Sequence, residues 1–179
     1  PSILDHVQAS LPNANCLGLH IRWSDKRIAR RILSLQEFLP YVQAYVESYA
    51  TNADDDAATS PRHNKPKPCI YLATDSWLVW QEIQSQWPPS ILAYIHQQQQ
   101  ASQSAGTTTR MIRSNDTRHV ADLGSHHSVN HQTLVDIVAL SNCTYLIHGH
   151  SAVSESAIYL NPQLIEDDRS INLEDPDRY

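Results

Sequence analysis

Residues able to do polar chemistry gather at three places in this sequence, each directly after a short apolar run. His20 lies near the end of Cys16-Leu-Gly-Leu-His-Ile21, and Arg22, Ser24, Asp25 and Lys26 follow it; Thr74, Asp75 and Ser76 follow Cys69-Ile-Tyr-Leu-Ala73; His148, Gly149, His150, Ser151 and Ser154 follow Thr144-Tyr-Leu-Ile147. In an extended segment side chains alternate with period two, so His20 and Arg22 share a side. An arginine fork there can hold a phosphate through two hydrogen bonds, which a lysine point charge cannot. Asp25 can orient Arg22 or Lys26, or accept hydrogen bonds from a sugar; an exposed ion-pair loop would use the same residues. The run Gly149-His150-Ser151-Ala152-Val153-Ser154 leads from strand into helix. A helix start offers free amides and the positive end of the dipole to an anion, with the Ser151 or Ser154 hydroxyl beside them. Ser151 acting only as a helix N-cap fits the same residues.

Other chemistries find less support. No G-x-G-x-x-G or Walker pattern is present, which disfavours nicotinamide cofactors and ATP phosphate loops. Of the ten histidines, His127 and His131 stand at i, i+4 beside His126, and His148 and His150 share a strand face. No H-E-x-x-H pattern or carboxylate at ligand spacing accompanies them, so no metal and no cofactor is expected. A metal-dependent α/β hydrolase built on these histidines is the weakest of the readings. A serine hydrolase needs G-x-S-x-G, and Gly149-His150-Ser151-Ala152-Val153 lacks the second glycine. The net charge of -6 and pI near 5.9 argue against nucleic acid, whose phosphates call for a basic face. No apolar run approaches the ~20 residues of a membrane span, so no membrane contact is expected of this segment.

The elements that must position these residues read as strand-then-helix units. Cys16–Ile21 is apolar enough for a buried strand. Leu35, Phe38, Leu39, Val42, Tyr45, Val46 and Tyr49 then recur at helical steps, after Ser34 and Glu37 in capping-box spacing. Cys69–Ala73 is the second strand, with a helix over about Ser76–Trp87 that Pro88-Pro89 ends. A short strand is expected at about Arg110–Arg113. A helix over Asn130–Ser141 presents Leu134, Ile137 and Val138, strand Thr144–Ile147 follows, and a last helix covers Ala152–Leu160. Strands alternating with helices of this length imply βαβ crossovers: an α/β, Rossmann-like, three-layer fold on a mostly parallel sheet.

At 179 residues a length prior gives one domain, expected over 1–165. Loop insertions are expected at 51–68, around Asp54-Asp-Asp56, and at 97–109, opening with four glutamines. Residues 166–179 read as a polar tail, ragged over Arg169–Tyr179. Cys16, Cys69 and Cys143 are odd in number and lack C-x-x-C spacing, which favours small buried thiols over a disulfide or zinc.

His20-Ile-Arg-Trp-Ser-Asp-Lys26 resembles the H-x-R-R-x-D-K motif of the α-1,6-fucosyltransferases. Tyr71-Leu-Ala-Thr-Asp75 is similar to that family's second motif, a strand ending in A-T-D. Leu134-Val-Asp-Ile-Val-Ala-Leu-Ser141, then Tyr145-Leu-Ile147 and Ser151, resembles the third. The resemblance covers about Asn15–Pro162. It implies the C-terminal, donor-binding half of a GT-B glycosyltransferase: a GDP-fucose-dependent, metal-independent fucosyltransferase that inverts the donor and acts on a glycan or glycoprotein. On it, Arg22 would neutralise the pyrophosphate of departing GDP with help from Ser151, and His20 and Asp136 would contact the nucleoside end. Asp75 and Asp25 would order the pocket, and Lys26 completes the donor-binding set. The chain departs from the pattern at Trp23, where the motif has a second arginine, and at Ser76, Glu155 and Ser156. The resemblance also implies a missing N-terminal acceptor-binding half, so that this segment alone is not expected to turn over. It implies work in the Golgi or secretory-pathway lumen if the full chain carries an anchor. A catalytically inactive sugar- or nucleotide-binding module of the same fold is the alternative.

Overall fold

The computed structural model describes residues 16–23, 31–51, 68–96 and 126–175. Cys16–Ile21 forms β1 and Leu35–Thr51 forms α1. Next come β2 (Cys69–Thr74), α2 (Trp77–Gln86), α3 (Pro89–Leu92) and β3 (Ile95–His96). After them come α4 (His126–Ser141), β4 (Tyr145–His148), α5 (Ala152–Leu160), α6 (Gln163–Glu166) and β5 (Ser170–Asn172). Among the described residues the sheet has five strands in the order β3-β2-β1-β4-β5, with every pairing parallel. This is the α/β, Rossmann-like architecture that the alternation of strands and helices implied.

Helices cover both faces, as an all-parallel sheet requires. Leu17, Leu19 and Ile21 of β1 pack with Ile70, Leu72 and Ile147 against Phe38 and Val42 of α1 and Val79 and Ile83 of α2. On the other face Tyr71, Ala73 and Leu146 meet Val135, Ala139 and Leu140 of α4 and Ala157 of α5. Gly18 faces α4, and a Cβ there would lie 3.1 Å from Leu140 Cδ2 and 3.3 Å from Cys143 Cβ. The missing side chain lets the helix approach the strand closely. Five of the six β1 residues read from the sequence as a buried strand are large enough to fill this double core; the sixth makes room for it.

Several expectations are corrected. Cys16 and Cys69 are joined as a disulfide, not free thiols; they are register partners at the first positions of adjacent strands, 4.5 Å apart at Cα. Cys143 alone remains a buried thiol. Within the segment expected to be a ragged tail, Ser170–Asn172 pairs with β4 as an edge strand. Leu134 is 48% exposed, because the buried stripe of α4 runs through Val135 and Ala139 instead. The capping box is half made: Glu37 accepts from the Ser34 amide at 2.9 Å, but the Ser34 hydroxyl turns to the same carboxylate at 3.0 Å. The strand expected at Arg110–Arg113 and the body of both insertions lie outside the described residues; among the described residues Ile95–His96 adds a strand that was not expected.

Candidate functional site

Strand order fixes where a ligand belongs. The connections from β1 run outward through β2 to β3, whereas β4 leads the other way to β5. The order therefore reverses between β1 and β4, and open α/β sheets bind ligands outside the carboxyl ends of the strands at such a switch point. A small cleft lies there, lined by His20, Ile21, Arg22, Leu33, Phe38 and Gly149.

Arg22 follows the last residue of β1, its side chain 34% exposed, with Nε 4.0 Å from Asp75 Oδ2. Asp75 also accepts the Trp23 amide at 2.8 Å through its other oxygen. One carboxylate at the end of β2 thus holds the backbone after β1 and steers the guanidinium beside it. Trp23 turns its indole inward, donating from Nε1 to the Leu33 carbonyl at 3.1 Å and packing on the core. The position where the resembled motif has a second arginine is therefore spent on structure.

From the β4 side, Ser151 caps α5: its Oγ accepts from the Val153 amide at 3.2 Å. Ser154 donates to the Gly149 and Ser151 carbonyls at 3.1 Å each, which pins the turn that carries Gly149 into the cleft. A capping Oγ that accepts keeps its hydroxyl proton for a ligand, so N-cap and anion contact are compatible roles.

His20 and His148 are register partners on β1 and β4, and both are buried. The Gly149 carbonyl can only accept, so His148 Nδ1 carries the proton toward it at 2.9 Å. His148 Nε2 then accepts from the Ser170 hydroxyl at 3.0 Å. His150 donates its amide to Glu174 at 3.0 Å, and its Nδ1 accepts from Asn172 at 3.3 Å. Ser170, Asn172 and Glu174 were not anticipated as part of this network. Their signal in the sequence was the alternation Ser170-Ile-Asn172-Leu173, polar on the side toward His148 and His150.

Of the residues singled out from the sequence, His20 and Arg22 line the cleft, Asp75 meets it through Arg22 and the Trp23 amide, and Ser151 caps α5 two residues beyond the lining Gly149; Thr74 and Ser76 flank Asp75. Asp136 does not join them: it sits midway along α4, buried, accepting from the Tyr71 hydroxyl at 2.8 Å. Ser24, Asp25 and Lys26 lie outside the described residues. Among the described residues no three His, Cys, Asp or Glu side chains stand together as a metal ion would need, and no helix is long and apolar enough to cross a membrane.

Fold and cleft together define a Rossmann-like domain with a cleft at its switch point. No family model matches the sequence, and no curated protein matches it. Among solved structures, a fucosyltransferase NodZ from Bradyrhizobium is similar, with a TM-score of 0.44 and 16% identity over 98% of this chain. NodZ α-1,6-fucosyltransferase soaked with GDP-fucose is also similar, with a TM-score of 0.43 and 18% identity over 89% of this chain. The chain spans 45% and 42% of those two proteins' lengths.

Proposed function

We propose that this chain is the donor-binding domain of a GDP-fucose-dependent glycosyltransferase that passes fucose, with inversion, to a glycan or glycoprotein. The observation that carries the reading is Arg22 at the switch-point cleft, held by Asp75 and facing the turn into α5. A sugar leaving a nucleoside diphosphate develops positive charge on the sugar and negative charge on the departing phosphate. A guanidinium fixed beforehand at that phosphate stabilises the transition state without having to reorganise, by about 3–4 kcal/mol for one well-placed donor. Ser151 and the first amides of α5 would meet the same diphosphate from the other side, and the apolar wall of Leu33 and Phe38 keeps water from it. The acceptor and the general base are assigned to a further, N-terminal part of the protein. The motif His20–Lys26 is the reason for choosing GDP-fucose over other nucleotide sugars.

Titration of GDP and GDP-fucose against the full-length protein tests this. Arg22→Ala should weaken GDP binding by roughly ten- to a hundredfold, the ~1.5–3 kcal/mol of a hydrogen bond to a charged group. Its thermal stability should hardly change, since Arg22 is a third exposed. Wild-type protein that folds and fails to bind GDP sinks the proposal. Trp23 favours a second reading, a module that binds without turnover, because its partly buried indole, bonded to the Leu33 carbonyl, stands where the resembled motif has a second cation. Tight GDP binding with no fucose transfer to any of a panel of glycans would select that reading.

A further inference from the structure

The end of the sheet opposite the cleft carries two features that the proposed function leaves unused. One is the Cys16–Cys69 disulfide. Disulfides persist in oxidising compartments and are rare where glutathione keeps thiols reduced. The other is the tripeptide Asn142-Cys143-Thr144. Asn-x-Ser/Thr with x other than proline is the acceptor pattern for N-linked glycans in secreted proteins. We infer that the chain matures in an oxidising secretory lumen and that Asn142 carries an N-linked glycan. The inference stands whether or not the domain binds GDP-fucose.

The local geometry suits a glycan. Asn142 is exposed in the turn between α4 and β4, so a folded chain can carry a bulky group there. Its Nδ2 donates to the Val138 carbonyl at 2.8 Å, which occupies one of the two amide hydrogens and leaves the other to be replaced. In the transfer, Nδ2 bonds to the anomeric carbon of an oligosaccharide carried on a lipid diphosphate. The anomeric carbon–oxygen bond breaks, the diphosphate departs with its electron pair, and the amide proton passes to a base. The remaining N–H keeps the bond to Val138.

The middle residue does not compete. Cys143 lies outside the disulfide, its thiol donating to the Ala139 carbonyl at 3.3 Å. Burial pushes its pKa well above the usual thiol range, and a protonated, enclosed thiol neither oxidises nor exchanges readily. Position matters as well. β4 runs from this turn to the cleft, four residues at ~3.3 Å each. A glycan on Asn142 therefore projects from the far edge of the sheet and leaves the ligand site open.

The test is peptide mapping of the full-length protein secreted from cultured eukaryotic cells. The sequence holds a second such tripeptide, Asn115-Asp116-Thr117, outside the described residues, so occupancy is read at the peptide containing Asn142. Enzymatic removal of N-glycans should convert Asn142 to aspartate in wild type and in Thr144→Ser. Asn142→Gln and Thr144→Ala should both lose the modification; Thr144→Ala keeps the Asn142–Val138 hydrogen bond, should Asn142→Gln fail to fold. Alkylation of unreduced, denatured protein should label, of this chain's three cysteines, Cys143 alone. An Asn142 peptide recovered wholly unmodified from wild type, or Cys16 and Cys69 found alkylated, overturns the inference. GDP affinity should be the same before and after glycan removal, which keeps this result separate from the fate of the proposed function.

Discussion

The two ends of the central strands solve different problems with the same six-residue segments. At the amino end, Cys16 and Cys69 are covalently joined, Gly18 is pressed against α4, and the Tyr45 hydroxyl donates to the Cys69 carbonyl at 3.1 Å. At the carboxyl end, on the same face of the sheet, the row becomes His20, His148 and Asn172, all buried and polar. A buried polar group left unpaired costs about 1–3 kcal/mol, so this end must be assembled hydrogen bond by hydrogen bond. The amino end is held mainly by packing and a cross-link, with the Tyr45 hydroxyl bonded to the Cys69 backbone. The contrast is what a scaffold and a site look like on shared strands: the covalent constraint sits where nothing binds, and polar groups that a ligand could re-pair sit where the strand order reverses.

If that division is real, cutting the cross-link should cost stability and spare binding. Replacing Cys16 and Cys69 by alanine frees a loop of 53-residue separation, worth about 4 kcal/mol on the chain-entropy estimate. Urea denaturation should show the loss, and reductant should reproduce it in wild type. GDP affinity should stay put at a temperature where the variant is folded. A parallel fall in affinity would mean that the register at the carboxyl ends depends on the staple, and the two ends would no longer count as separate.

A smaller insult to the same end is Gly18→Ala. The added methyl would meet Leu140 Cδ2 at 3.1 Å, Leu146 Cδ1 at 3.2 Å and Cys143 Cβ at 3.3 Å. The two leucine ends can turn aside; Cys143 Cβ is fixed to the backbone of the turn after α4, so that turn must shift. About 1–3 kcal/mol of destabilisation follows from overpacking of this kind, seen as a lower thermal midpoint with no change in GDP binding.

Legibility in the sequence follows the same divide. Strands buried on both faces are apolar runs, and Cys16–Ile21 could be placed to the residue for that reason. β5 could not: Ser170 and Asn172 are polar yet buried, because each finds a histidine ring as partner. Composition alone cannot distinguish such a strand from a solvated tail. β3 is two residues long, too short for any period to show. The disulfide needs the β1–β2 register, which no spacing of cysteines 53 residues apart can reveal. Of the candidate site, Arg22 and Asp75 were legible because they directly follow readable strands, and Ser151 because it opens a readable helix. Asp136 was drawn into the donor set by a motif, while its helix phase turns it to Tyr71.

Ser151 is where the two kinds of role overlap, and its substitutions give the smallest but most discriminating effects. Losing the cap in Ser151→Ala should destabilise the chain by about 1 kcal/mol and weaken GDP binding with it, so that variant alone separates nothing. Ser151→Asn and Ser151→Asp both retain a capping oxygen for the Val153 amide and should restore the thermal midpoint. They part company at the ligand. If the α5 turn receives a phosphate, the aspartate places a like charge against it, and GDP binding should fall several-fold below that of the asparagine variant. Raising the salt concentration should narrow that gap, since the repulsion is screened. Equal GDP affinities for the two variants would leave Ser151 a cap and nothing more, and the phosphate would then rest on Arg22 from the β1 side alone.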